Sequence, residues 1–189
     1  MNTDKSILQE LNQRRSVRAF LPKEVEPGKL EALWAAAQWA PSSSNKQEWR
    51  YYAFIGQARE KLAEVLNRGN WWALRAPLII AVTRDASIEN KTESREYGMY
   101  DVALSVMSLV VEAEHQGLRA HQLAGFKEKP LKQILNLSQT ELPAVVVAVG
   151  YEGGSEHIDP EVRSLIEEKE ARPRVRKPIE GVVKIIKDL

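Results

Sequence analysis

Apolar residues recur along the chain at two periods, and the switch between them separates helices from strands. Ile7, Leu8 and Leu11 follow helical spacing and predict an N-terminal helix running to about Gln13. Leu30, Leu33, Trp34 and Ala37 fall at i, i+3, i+4 and i+7, a second amphipathic helix that ends before Pro41. Residues 49–55, rich in aromatics, read as a short strand. Residues 58–67 read as a helix with Leu62, Val65 and Leu66 on one face and Gly69 as its stop. The stretch 77–83 is almost wholly apolar, which predicts a strand buried on both faces. The longest predicted helix spans 97–116. Its apolar residues Val102, Leu104, Val106, Met107, Leu109, Val110 and Val111 surround the axis, so every side needs cover. In a chain this short, that cover points to a second subunit. Pro130 opens a short helix carrying Leu131, Ile134 and Leu135, and 143–151, dense in valine, is a third buried strand. After Gly153-Gly154 the chain turns polar, with Asp159-Pro160 as a helix start and 161–172 charged throughout. Such a tail lies along a surface and not in a core of its own. Three strands among irregularly ordered helices give an α+β fold.

Composition narrows the function. With 189 residues and 43% hydrophobic content, the chain is a single domain able to bury a core. A formal net charge of +1 argues against a protein built to grip nucleic acid or an anionic membrane. No cysteine is present, which excludes disulfides, iron–sulfur clusters, thiolate zinc sites and cysteine nucleophiles. Residues 1–18 are mixed polar and charged, without the apolar stretch of a signal peptide, so a cytoplasmic protein is expected. The most apolar run, 102–111, is interrupted by serines and falls short of the ~20 residues of a membrane span. His115 and His121 are six apart, off a shared helical face, and His157 is isolated in the tail; no metal site is expected.

Three clusters carry candidate chemistry. Arg14-Arg15-Ser16-Val17-Arg18 offers three guanidiniums and a hydroxyl, a donor set for phosphate or else a solvated basic cluster at a helix end. Pro41-Ser42-Ser43-Ser44-Asn45-Lys46-Gln47-Glu48-Trp49 is rich in donors and acceptors. It suits the polar edge of a heterocycle, or is an ordinary Ser/Asn turn. In Arg172-Pro173-Arg174-Val175-Arg176-Lys177-Pro178, an extended backbone points Arg174 and Arg176 the same way, toward one anion or into solvent. The tryptophans Trp34, Trp39, Trp49, Trp71 and Trp72 read as core residues, with Trp71 or Trp72 as candidates for the border of a cavity.

In this order and spacing the three clusters resemble the nitroreductase family. Trp72 to Val82 is similar to that family's second strand and its approach. Tyr100-Asp101 with the apolar helix and Gly117-Leu118 resembles its dimer-core helix, and His121-Gln122-Leu123-Ala124-Gly125-Phe126 resembles its Gly-Phe segment beneath a flavin. The resemblance covers nearly the whole chain. It implies a three-layer α+β fold with a central mixed or antiparallel sheet, in an intertwined homodimer whose arm from about residue 153 to 189 wraps the partner. It also implies two FMN sites at the subunit interface, with NADH or NADPH as reductant. Arg14, Ser16, Arg174 and Arg176 would hold the FMN phosphate, and Arg15 and Arg18 would lie along the ribityl chain or near the ring. Pro41, Ser42, Ser43 and Asn45 would reach in from the partner, Gln47 and Asn70 would meet the ring edge, and Ala124 and Gly125 would pass close beneath it.

The implied reaction passes hydride from NAD(P)H by way of flavin N5 to a nitroaromatic, quinone or enone in ping-pong order, with no amino-acid nucleophile required. Relatives with reductive dehalogenase or flavin-cleaving chemistry, and a flavin-binding redox sensor with little turnover, are the alternatives. Two departures from the family pattern stand out: Glu48, where proline is frequent, and Lys127, where an acid is common.

Overall fold

The computed structural model describes residues 7–187, so the leader expectation for residues 1–6 and the last two residues of the arm lie outside it. Among the described residues the architecture is a four-stranded sheet covered by helices on both faces. β1 (Trp49–Ile55), β2 (Leu78–Asp85), β5 (Arg119–Leu123) and β6 (Glu141–Gly150) form it in the order β1-β2-β6-β5, antiparallel at each pairing. β3 (Lys91–Thr92) and β4 (Arg95–Glu96) make a separate small hairpin.

Alternation along the two central strands feeds two cores, as a sheet buried on both faces requires. Ile79, Ala81, Val146 and Ala148 face one cluster, with Phe20, Leu62, Leu66, Trp72, Leu131 and Ile166. Leu78, Ile80, Val82, Val147 and Val149 face the other, with Leu33 and Ala37 of α2 (Pro27–Gln38) and Val102, Val106 and Leu109 of α3 (Gly98–His115). The ladder slips between Val82 and Thr83, where the partner strand carries Pro143, which has no N–H to donate.

The N-terminal helix is the short α1 (Gln9–Gln13). The helix expected over 58–67 is instead a 3-10 stretch, Gly56–Ala63, followed by a turn. Leu62, Val65 and Leu66 are nonetheless buried, because i, i+3 spacing suits either winding. A second 3-10 stretch, Arg68–Arg75, precedes β2, and α4 (Glu128–Leu135) follows β5. Not all tryptophans are core: Trp49 and Trp72 are buried, whereas Trp39 is 88% exposed. The polar region after Gly153 divides in two. Ile158 and Ile166, the latter on α5 (Arg163–Ala171), pack into the chain's own core, so that part is anchored at home. Residues 172–187 are exposed along their whole length.

Candidate functional site

Residues 14–18 leave α1 in an irregular segment whose alternate side chains part company. Val17 is buried at 2% exposure, while Arg14, Arg15 and Arg18 remain partly open and Ser16 is exposed. The segment is fastened to β5 by His121, whose Nδ1 lies 2.8 Å from the Val17 carbonyl. From the other end of the chain, Arg174 donates to the Asn12 carbonyl and so docks the tail on α1. The two ends of the chain, 162 positions apart at this contact, thereby meet. Desolvation, and then the like charges of Arg176, Arg14 and Arg15, lower the pKa of Arg174. Arg15 spends its donors on backbone carbonyls, those of Glu170 and, at 2.7 Å, Arg172. The Arg14 Nε is buried and has no hydrogen-bond partner.

Four guanidiniums held together with one buried donor unspent form a cradle for an anion. A bound dianion would relieve their mutual repulsion and give the unspent Arg14 donor a charged acceptor. This donor set fits the phosphate of FMN. Arg18 stands apart, its guanidinium 5.8 Å from the centre of the Trp72 ring and its backbone N–H on the Glu170 carboxylate.

Small residues follow the end of β5. Gly125 accepts hydrogen bonds at its carbonyl from Asn70 Nδ2 at 2.9 Å and from the Asn67 amide at 3.1 Å. A Cβ on Gly125 would come within 2.5 Å of that Asn70 nitrogen, so a side chain here would push the Asn70 amide off its hydrogen bond. Ala124 is exposed next to it. His121 is buried against Trp72, with ring centres 4.6 Å apart, and desolvation pulls its pKa down to about 4. It is neutral and plays a structural part. No group of three or more metal-ligating side chains occurs among the described residues.

The loop 42–47 is the third part. Ser44, Asn45 and Gln47 all carry positive φ, at 53°, 51° and 48°. Left-handed backbone costs a non-glycine residue about 1–2 kcal/mol, so three in four residues mean a strained loop. Its polar groups are used to hold it. Gln47 donates its amide to Ser42 Oγ at 3.0 Å and its side chain to Asn45 Oδ1 at 2.9 Å. The Ser43 amide donates to Asp101 Oδ2 at 2.8 Å, and Asn90 donates to Ser43 Oγ at 2.6 Å. Pro41 is exposed at the loop's start. Beyond the loop itself, its hydrogen bonds run to α3, Asn90 and Arg50, none among the described residues to the arginine cradle. Within the chain, the Val17–His121 contact ties the arginine segment to β5. Sequence reasoning missed the loop's anchors Asp101 and Asn90; the signal available for Asp101 was an acid at the start of an otherwise apolar helix.

These features describe a class: a three-layer α+β domain with an arginine cradle, small residues at the end of an edge strand and a strained polar loop. The chain belongs to the nitroreductase family, whose family model matches residues 11–71 and 66–151. It is 24% identical over 162 residues to an FMN reductase [NAD(P)H] of Bacillus subtilis, covering 77% of this chain and 65% of that one. It is 42% identical over 52 residues to nitrobenzene nitroreductase of Ectopseudomonas oleovorans, a stretch that spans 28% of this chain and 23% of that enzyme. Its fold is similar to a solved oxidoreductase containing FMN, with a TM-score of 0.82, 22% identity, and 96% and 92% of the two chains covered.

Proposed function

We propose that the protein is an FMN-dependent oxidoreductase that takes hydride from NADH or NADPH and passes it to a small conjugated acceptor, a nitroaromatic, quinone or enone, in ping-pong order. The gathering of Arg14, Arg15, Arg174 and Arg176, with the Arg14 Nε buried and unspent, carries this reading. The names of the relatives support the choice of FMN and a nicotinamide reductant. FMN supplies the hydride chemistry when bound. The chain's own work is to hold it. Arg14, Arg174 and Arg176, with Ser16, bind the phosphate. Arg15 and Arg18 place positive charge along the rest of the cofactor, which favours its anionic reduced form. Gly125, kept bare by Asn70, lets backbone approach the ring.

We further propose a homodimer in which the loop with Pro41, Ser42, Ser43, Asn45 and Gln47 completes the partner's site. The loop's separation from its own cradle supports this arrangement.

The test is a flavin titration followed by anaerobic reduction. Purified protein is expected to carry bound FMN, to bleach on addition of NADH or NADPH, and to recover its colour with a quinone, nitroaromatic or enone. Each charge-assisted bond lost costs about 1.5–3 kcal/mol, so Arg14→Ala with Arg176→Ala is expected to weaken FMN binding by roughly a hundredfold or more. Protein that neither binds nor is stabilised by FMN overturns the reading. Unchanged FMN affinity in the double variant overturns the phosphate assignment alone.

A further inference from the structure

Glu48 has a fully buried side chain with 0% exposure, and neither of its carboxylate oxygens has a hydrogen-bond partner. It directly follows Gln47, the last left-handed residue of the strained loop, and its carbonyl accepts the Asp85 amide at 2.9 Å. Its carboxyl lies beside that of Asp101, 1% exposed, whose Oδ2 holds the Ser43 amide and whose Oδ1 is likewise buried without a partner.

Two buried acids side by side, each with unspent oxygens, cannot both be ionised without leaving charge bare in a desolvated space. The nearby charges do not resolve this. Glu89 adds a third acid, and Arg84 of β2 is committed to it. Lys91 of β3 reaches Glu89 at 3.4 Å and Glu96 of β4 at 3.0 Å. One proton between Glu48 and Asp101 does resolve it, because a protonated carboxyl is a donor and the orphan Asp101 Oδ1 is an acceptor.

We propose that Glu48 is a positioning residue: as a neutral carboxylic acid it donates to Asp101 Oδ1, and Asp101 in turn fixes the Ser43 amide, so that the pair clamps the strained 42–47 loop to the N-terminal turn of α3. The strain of three left-handed residues makes such a clamp necessary, since the loop relaxes once its anchors ionise and repel. That the clamped loop governs cofactor binding rests on the function proposed above. Desolvation first, and then the charges of Asp101 and Glu89, raise the Glu48 pKa above the ordinary carboxylate value, so the proton is held beyond the pH at which a free glutamate loses it. The sign follows: the clamp is present below the raised pKa and fails as pH rises through it.

The experiment compares the wild-type protein with Glu48→Gln and Glu48→Ala. Glutamine keeps the shape and an N–H donor toward Asp101 but cannot ionise. In wild type, the infrared carbonyl band of a protonated carboxylic acid is expected to persist above the pH range in which a free glutamate ionises, to vanish as the pH is raised further, and to be missing from E48Q. Tryptic cleavage after the exposed Lys46 is expected to accelerate as that band disappears, to stay slow in E48Q at every pH, and to be fast throughout in E48A. FMN affinity is expected to weaken above the transition by up to about tenfold per pH unit in wild type only. Parallel cleavage profiles in wild type and E48Q, or no difference in the acid band between them, overturn the clamp. If the band and cleavage behave as expected but FMN binds nowhere, the function reading fails and the clamp stands.

Discussion

His121 shows how much one neutral side chain can decide. Its imidazole is 9% exposed, bonded to the Val17 carbonyl through Nδ1 and packed on Trp72. In the fold its pKa falls to about 4, whereas an unfolded histidine titrates near 6.5. Below that higher value the unfolded chain binds a proton that the folded chain refuses, so stability is complete above about pH 6.5 and is lost as pH falls toward 4. Between pH 7 and 5 the loss is expected to be about 2 kcal/mol, measured by urea unfolding. H121Q, which keeps a donor for Val17, is expected to flatten that slope; an equal slope in both proteins refutes the assignment. The residue scale is also where the sequence was least legible. Arg14 and Arg176 were visible as charges, but the buried Nε that singles out Arg14 depends on packing between distant segments. Asn70 was named only through the family resemblance, as a contact of the ring edge, and its hydrogen bond to Gly125 arises because the segment before β2 returns beside the end of β5.

At the scale of elements, legibility followed burial. β2 and β6 were plain as apolar runs because both of their faces are covered, and α3 was plain because its apolar residues wrap most of its circumference. β5 was not recognised as a strand, since Arg-Ala-His-Gln-Leu on a sheet edge pairs on one side only and carries exposed polar residues. The 58–67 segment was assigned the wrong winding because its buried triplet satisfies either helix type. The strand ends are tightly specified. A Cβ on Gly150, at the end of β6, would meet Pro77 Cδ at 2.5 Å, Pro77 Cγ at 2.8 Å and Phe20 Cδ1 at 3.2 Å. Both neighbours are rigid rings, so Gly150→Ala is expected to cost about 1–3 kcal/mol, with the urea midpoint lowered and the slope unchanged. An unaltered midpoint would mean that the 19–22 segment yields more readily than its packing indicates.

For the whole molecule, a single chain leaves a broad apolar surface open. On α3, Met99 and Tyr100 are exposed, and Leu104, Met107 and Val111 are only half-covered beside Pro41, lining a shallow hollow of about 380 Å³. The tail adds Val175, Ile179, Val182, Ile185 and Ile186, all at least 67% exposed. A run of large apolar residues along an extended tail is a liability unless something covers it, and in the proposed homodimer a second copy related by a two-fold axis would cover both surfaces at once. Met107→Glu is therefore expected to shift the protein from dimer to monomer in light scattering and to lower its FMN content. The shared-site arrangement has a sharper consequence. One chain carrying Arg14→Ala and Arg176→Ala lacks the cradle, and another carrying Asn45→Ala and Gln47→Ala lacks the loop contacts; each homodimer has two damaged sites. In a mixed dimer, the intact cradle of one chain faces the intact loop of the other, leaving one complete site beside one doubly damaged site. Co-expression of the two chains is expected to restore flavin binding that neither homodimer shows. If the loop instead served its own chain's cradle, both sites of the mixed dimer would stay defective and no binding would return.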